Sequence, residues 1–213
     1  MKPYGFQKIY IVFNVTISMK NIDKIDIIEL NDAHSKVMQW FFAYPNVPIT
    51  LTELSKEVAI SKKNASLIVN QLLKENFLLR EEIGRSWRIT GNQKHIYNHT
   101  KKIGYNLILI YNLLFEEGII NEIHKIAGNA KSIILFGSYR KGDDNEKSDI
   151  DIAVEVAGGK EQKIVKFGEI KKFGYRKNVP INLHIFSRDK IEINLFSNIA
   201  NGIILEGFLE VRK

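Results

Sequence analysis

Cysteine is absent from this chain of 213 residues. That excludes disulfide cross-links and thiolate-bound metals, and it suits a reducing compartment, so a cytoplasmic location is expected. No apolar run approaches the roughly 20 residues that cross a bilayer, so no membrane partner is expected. The opening MKPYGFQKIYIVFNVTISMK offers no convincing small-residue cleavage site, which argues against a signal peptide. It reads either as an extra strand or as an over-extended start, with Met19 the first residue. Acid is the minority charge: 24 Asp and Glu stand against 31 Lys and Arg, a net charge of +7. The excess fits a polyanionic partner, and it equally fits a plain lysine-rich surface. Hydrophobic residues make up 45%. That is enough to build a core in one large or two small domains.

Beyond an N-terminal extension at 1–30, the segment 31–91 reads as a small domain. Val37, Trp40, Phe41 and Tyr44 have helical spacing, Asn31 or Asp32 can cap that helix, and Pro45 and Pro48 stop it. A second short helix follows with Leu51, Leu54 and Val58 apolar and Thr52 as its capping candidate. A third begins at Ser61 and buries Ala65, Ile68, Val69, Leu72 and Leu73. Two short alternating strands around Gly84 complete the pattern. The segment resembles a winged helix-turn-helix of archaeal and bacterial transcription regulators. The resemblance implies double-stranded DNA as partner, with the third helix in the major groove. Its exposed face would offer Lys62, Lys63, Asn64, Ser66, Asn70 and Gln71, and the wing Arg85 and Arg88. Lysines there meet phosphates, and Asn and Gln read adenine edges. Ordinary solvated polar positions are the alternative.

Residues 92–117 read as a connecting helix, bent near Gly104, with a broad apolar face fit for a homodimer seam. His95 and His99 have the spacing of helix-borne metal ligands but no third ligand nearby, so they read as surface histidines. From 118 to 213 the texture is that of an α/β unit. KSIILF, SDIDIAVEV and VPINLHIFS read as strands. A short helix opens at Gly137-Ser138, KEQKIVKFGEIKKFGYRK reads as an amphipathic helix, and a last helix precedes a short tail. The expected fold class is α+β, with a winged helix domain, a connecting helix and a small C-terminal domain holding a mixed sheet.

The chemistry concentrates in ILFGSYRKGDDNEKSDIDIAVEV. A period of two puts Asp149 and Asp151 on one strand face, where their charges repel unless something relieves them. Such a pair suits Mg²⁺ or Mn²⁺, and metal-bound nucleoside triphosphate with it. Gly137 lets backbone approach a phosphate, and Ser138 supplies a hydroxyl at a helix start. Arg140, Lys141 and Lys147 add positive charge, while Asp143, Asp144 and Glu146 oppose it.

Gly137-Ser138, then Gly142, then Ser148-Asp149-Ile150-Asp151 resemble the Gly-Ser … Gly … Ser-Asp-x-Asp signature of DNA polymerase beta-like nucleotidyltransferases, and most closely their minimal stand-alone branch. The resemblance implies transfer of a nucleoside monophosphate, with ATP as donor, onto a protein or nucleic-acid hydroxyl. It implies a nucleotide site at Gly137, Ser138, Arg140, Lys141, Gly142 and Ser148, and divalent ions on Asp149 and Asp151. Small members of the branch are often paired with a toxin they modify or neutralise. The family's third carboxylate is missing: in INLHIF, Asn182 takes its place, with His184 two residues on as a substitute base. That departure keeps a second reading open, a non-enzymatic DNA-binding regulator whose degenerate C-terminal domain binds nucleotide or mediates assembly.

Overall fold

The structure, a computed structural model, describes residues 33–84, 86–159 and 161–210. The expected caps Asn31 and Asp32, the extension 1–30 and Arg85 lie outside them.

The N-terminal part is three helices and a hairpin: α1 (Ala33–Ala43), α2 (Leu51–Glu57), α3 (Lys62–Lys74), β1 (Leu78–Ile83) and β2 (Ser86–Gly91). Helix α1 buries Val37, Trp40 and Phe41 and ends two residues before Pro45. The cap of α2 is Thr50, not Thr52. The Thr50 side chain accepts from Glu53 N while the Glu53 carboxylate accepts from Thr50 N, and only a residue three before the glutamate can close that box. Ser61 caps α3 as expected. Strands β1 and β2 pair antiparallel, and a bridge from Ile49 to Ile89 ties the segment before α2 to the hairpin.

A single helical rod, α4 (Asn98–Glu116), follows. It starts at Asn98 rather than at 92, because 92–96 form a turn whose Asn92 and His95 carbonyls accept from the Asn98 side chain. Gly104 is no bend. It sits in the regular part, Ile103–Tyr111, while wider π turns occupy Asn98–Lys102 and Asn112–Glu116. His95 is in the turn, its ring against Phe77 and Tyr97, so it shares no helix face with His99.

Then come α5 (Ile119–Ala127), β3 (Ala130–Phe136), α6 (Ser138–Lys141), β4 (Ile150–Val156), β5 (Lys163–Phe173), β6 (Arg176–Phe186), α7 (Ile193–Ala200) and β7 (Ile203–Gly207). The strands form one mixed sheet in the order β5-β6-β4-β3-β7, with β4 and β6 parallel and the other pairs antiparallel. The fold is therefore α+β with a mixed sheet.

Two expectations fail here. The segment read as an amphipathic helix is β5. A bulge between Lys166 and Gly168 inserts one extra residue, so Phe167 and Ile170, three apart, are both buried; Phe173, next to the turn, is buried as well, in unshifted register. A spacing of three in an apolar strand imitates a helix. Gly174, at φ +58, lets β5 turn tightly into β6. The supposed tail contains β7, which pairs with β3.

One core joins the N-terminal helices, α4, α5 and one sheet face, including Ile150, Ile152, Leu183 and Ile185. A smaller cluster of Ile134, Phe136, Ala153, Phe186 and Ile199 covers part of the other face beneath α7. Alternation along β4 and β6 sends Asp151, Asn182 and His184 to that second face.

Candidate active site

The site is built at the end of β3. Gly137 has φ 75 and ψ −153, backbone that only glycine adopts readily. A Cβ there would lie 2.9 Å from Asp151 Oδ2. The glycine turn and the acid therefore touch, and the turn leads straight into Ser138 at the start of α6.

The parallel register of β4 and β6 aligns Asp151 with Asn182. The Asn182 amide nitrogen donates to Asp149 Oδ2 at 2.9 Å and reaches Asp151 Oδ1 at 3.4 Å. The repulsion between the acids is relieved by an amide standing between them. His184 Nε2 lies 3.1 Å from Asp151 Oδ1, and its ring packs edge-on to Phe136, centroids 4.8 Å apart. Its Nδ1 is buried with no hydrogen-bond partner. Because Nδ1 has nothing to donate to, the proton belongs on Nε2, aimed at the carboxylate. On the next strand, Lys166 aligns with Asn182 and is exposed. The row Asp151–Asn182–Lys166 crosses three strands on one face.

The loop from Gly142 to Asp149 is pinned from below. Gly142, at φ +77, packs directly on the Asn98 carbonyl. Asp144 is 2% exposed and pairs at 3.3 Å with Lys102, itself 1% exposed, whose ammonium also donates to the Asp144 carbonyl. Asn106 donates to Asp144 Oδ1 at 2.8 Å and to the Tyr139 carbonyl at 3.1 Å. Arg176 donates to the Tyr139 hydroxyl, and to the Glu146 carbonyl at 3.2 Å. Burial pushes the Asp144 carboxyl above its usual range and the Lys102 ammonium below its own, and each charge partly offsets the shift of the other. Burial also pushes the Tyr139 hydroxyl up, so it stays protonated.

Of the residues singled out in the sequence, Gly137, Ser138, Asp149, Asp151, Asn182 and His184 converge. Arg140 is half-buried on α6 and Lys141 exposed. Ser148 closes its loop, its hydroxyl accepting from Asn145 N at 3.0 Å. Asp144 is not surface acid opposing a positive funnel. It is interior and paired. Sequence reasoning missed Lys102, Asn106, Asp144 and Arg176, because nothing local links a helix lysine to an aspartate 42 residues on. It missed Lys166 through the helix reading of β5.

On the N-terminal part, Lys62, Lys63, Asn64 and Asn70 are exposed, while Ser66 is half-buried and accepts from Asn70 at 3.5 Å. Gln71 donates to Glu75. Arg88 is drawn to Glu53 on α2 at 3.7 Å. A groove of about 730 Å³ between α3 and β1 is lined by Leu67, Asn70, Gln71, Leu73, Lys74 and Arg80. None of the acid-site residues lines it.

Residues 116–201 match the family described as "Nucleotidyltransferase domain", less than half of the chain. The match supports the nucleotidyltransferase reading of the C-terminal part, and with it a general nucleotidyl-transfer chemistry. No curated protein matches the chain.

Among the described residues no three His, Asp or Glu side chains converge as a metal cage. Two carboxylates beside a neutral amide still fit one hard cation, Mg²⁺ or Mn²⁺, completed by water and phosphate oxygens. Among the described residues, no single helix is long and apolar enough to cross a membrane.

Proposed function

We propose that this protein transfers a nucleoside monophosphate from ATP to a hydroxyl of a protein or nucleic-acid acceptor, with pyrophosphate as the leaving group and the hydroxyl proton passing to water. The observation that carries the reading is the contact of the Gly137 turn with Asp151, on the face where Asp149 and Asn182 also meet. Asp149 and Asp151 would hold Mg²⁺ or Mn²⁺, which when bound neutralises phosphate charge and orients the triphosphate. Gly137 leaves room for phosphate oxygens beside the strand end. Ser138 donates its hydroxyl to them. His184 holds Asp151 through Nε2. With that atom committed and Nδ1 buried, it orients the carboxylate rather than taking the acceptor's proton. Lys166 stands beside Asn182, where an incoming phosphate gains a cation.

The N-terminal helices and hairpin act as a winged helix on double-stranded DNA, with Lys62, Lys63, Asn64 and Asn70 facing the groove and Arg85 and Arg88 on the wing. A protein acceptor of the toxin kind is compatible with this arrangement.

The test is incubation with labelled ATP, Mn²⁺ and cell extract. Label transfer by the wild type, abolished in Asp149→Ala/Asp151→Ala, is the expected result. A second reading rests on Asn182: an amide in place of an acid supplies no negative charge to a second cation. On that reading the protein is a DNA-binding regulator without transfer activity. Tight binding to a specific duplex with no label transfer would favour it.

A further inference from the structure

Helix α4 leaves one stripe uncovered. Lys101, Gly104, Ile108, Tyr111 and Phe115 are all exposed, at alternating spacings of three and four, the seam spacing of a two-helix coiled coil. Ile108 is 43% exposed, Tyr111 37% and Phe115 47%. A Cβ added at Gly104 would meet nothing within 4 Å. The rings of Tyr111 and Phe115 stack with centroids 5.7 Å apart, so they present one firm surface.

The stripe complements itself. Gly104 and Phe115 are placed symmetrically about the midpoint between Leu109 and Ile110, and so are Ile108 and Tyr111. In an antiparallel pair the smallest seam residue therefore faces the largest, and the aliphatic one faces the phenol. The ends agree in charge. Lys101 is exposed at the start of α4, and Glu116 and Glu117 at its finish. Antiparallel pairing brings Lys101 to the partner's Glu116 and the partner's Glu117, whereas parallel pairing sets like charges together.

We infer that the exposed stripe of α4 is an interface for a second copy of this chain, packed antiparallel about a two-fold axis near Leu109 and Ile110. The interface is isologous, as closed dimers require. It stands independently of the nucleotidyl-transfer reading. Because Lys102 and Asn106 on the same helix hold Asp144, the dimer seam and the acid-site loop share one rod.

The experiment uses the full chain, which has no cysteine of its own. Sedimentation or light scattering is expected to give twice the chain mass of 24.5 kDa. Ile108→Glu is expected to give the monomer with an unchanged circular dichroism spectrum. Separate Gly104→Cys and Phe115→Cys chains are then mixed with a short bis-maleimide. Antiparallel packing places Gly104 of one chain beside the partner's Phe115, while like positions lie about 16 Å apart along the axis. Cross-linking in the mixture and not in either chain alone supports the inference. A monomeric wild type, as when the chain's own apolar residues 9–17 cover the stripe, overturns it. So does a dimer indifferent to Ile108→Glu, or cross-linking of like with like.

Discussion

The side-chain nitrogen of Asn182 lies 2.9 Å from the Asp149 carboxylate, so β6 offers a hydrogen-bond donor where a cation site would want a further acid. Asn182→Asp reverses the sign of that contribution. Without metal it sets three carboxylates together, and the melting temperature is expected to fall. With Mn²⁺ the order reverses: affinity rises on the order of tenfold, about 1.4 kcal/mol. Calorimetric titration with Mn²⁺ alone checks both halves.

Gly137→Ala brings two costs together. The backbone is left in glycine-only territory, worth about 1–3 kcal/mol. The new methyl also presses on Asp151 Oδ2. Chemical denaturation should show a loss in that range, and ATP binding should weaken even where the variant is fully folded.

His184 separates an orienting role from a basic one. Glutamine keeps a donor for Asp151, whereas phenylalanine keeps only the packing on Phe136. His184→Phe is expected to weaken Mn²⁺ binding about 10- to 100-fold, in the manner of a lost supporting contact. His184→Gln should recover much of it. A glutamine variant as impaired as the phenylalanine one would remove the orienting role.

The Lys102–Asp144 pair predicts an asymmetry with pH. Lys102→Met strands a buried carboxylate and should cost about 3–5 kcal/mol near neutrality. Burial already holds the Asp144 carboxyl above its usual value. Without the lysine the folded state binds that proton more readily than the unfolded chain. Stability of the variant therefore rises as pH falls from the raised folded value toward the unfolded one. Its deficit against the wild type should shrink over that window in urea titrations. Lys102→Met/Asp144→Leu should regain most of the loss.

Much of the site could be read without coordinates, because Gly137-Ser138 and Asp149-x-Asp151 lie within one short stretch. Alternation on a strand is a local rule, and it put both acids on one face. The amphipathic reading of 160–177 went wrong for an equally local reason. One bulged residue in β5 set the buried Phe167 and Ile170 three apart, a helix-like step in a strand, and only pairing with β6 exposes it.

The sequence by itself determined which side chains the strand ends carry: the paired acids, the glycine turn, and an asparagine in INLHIF. Tertiary structure decided what they do to one another. The parallel alignment of β4 and β6 set Asn182 between the acids, and packing of α4 under the loop removed Asp144 and Lys102 from the surface. Spacing along a chain fixes direction within one element. Strand register and helix docking arise from burying two apolar faces together, so residues 42 apart become partners only when the core closes.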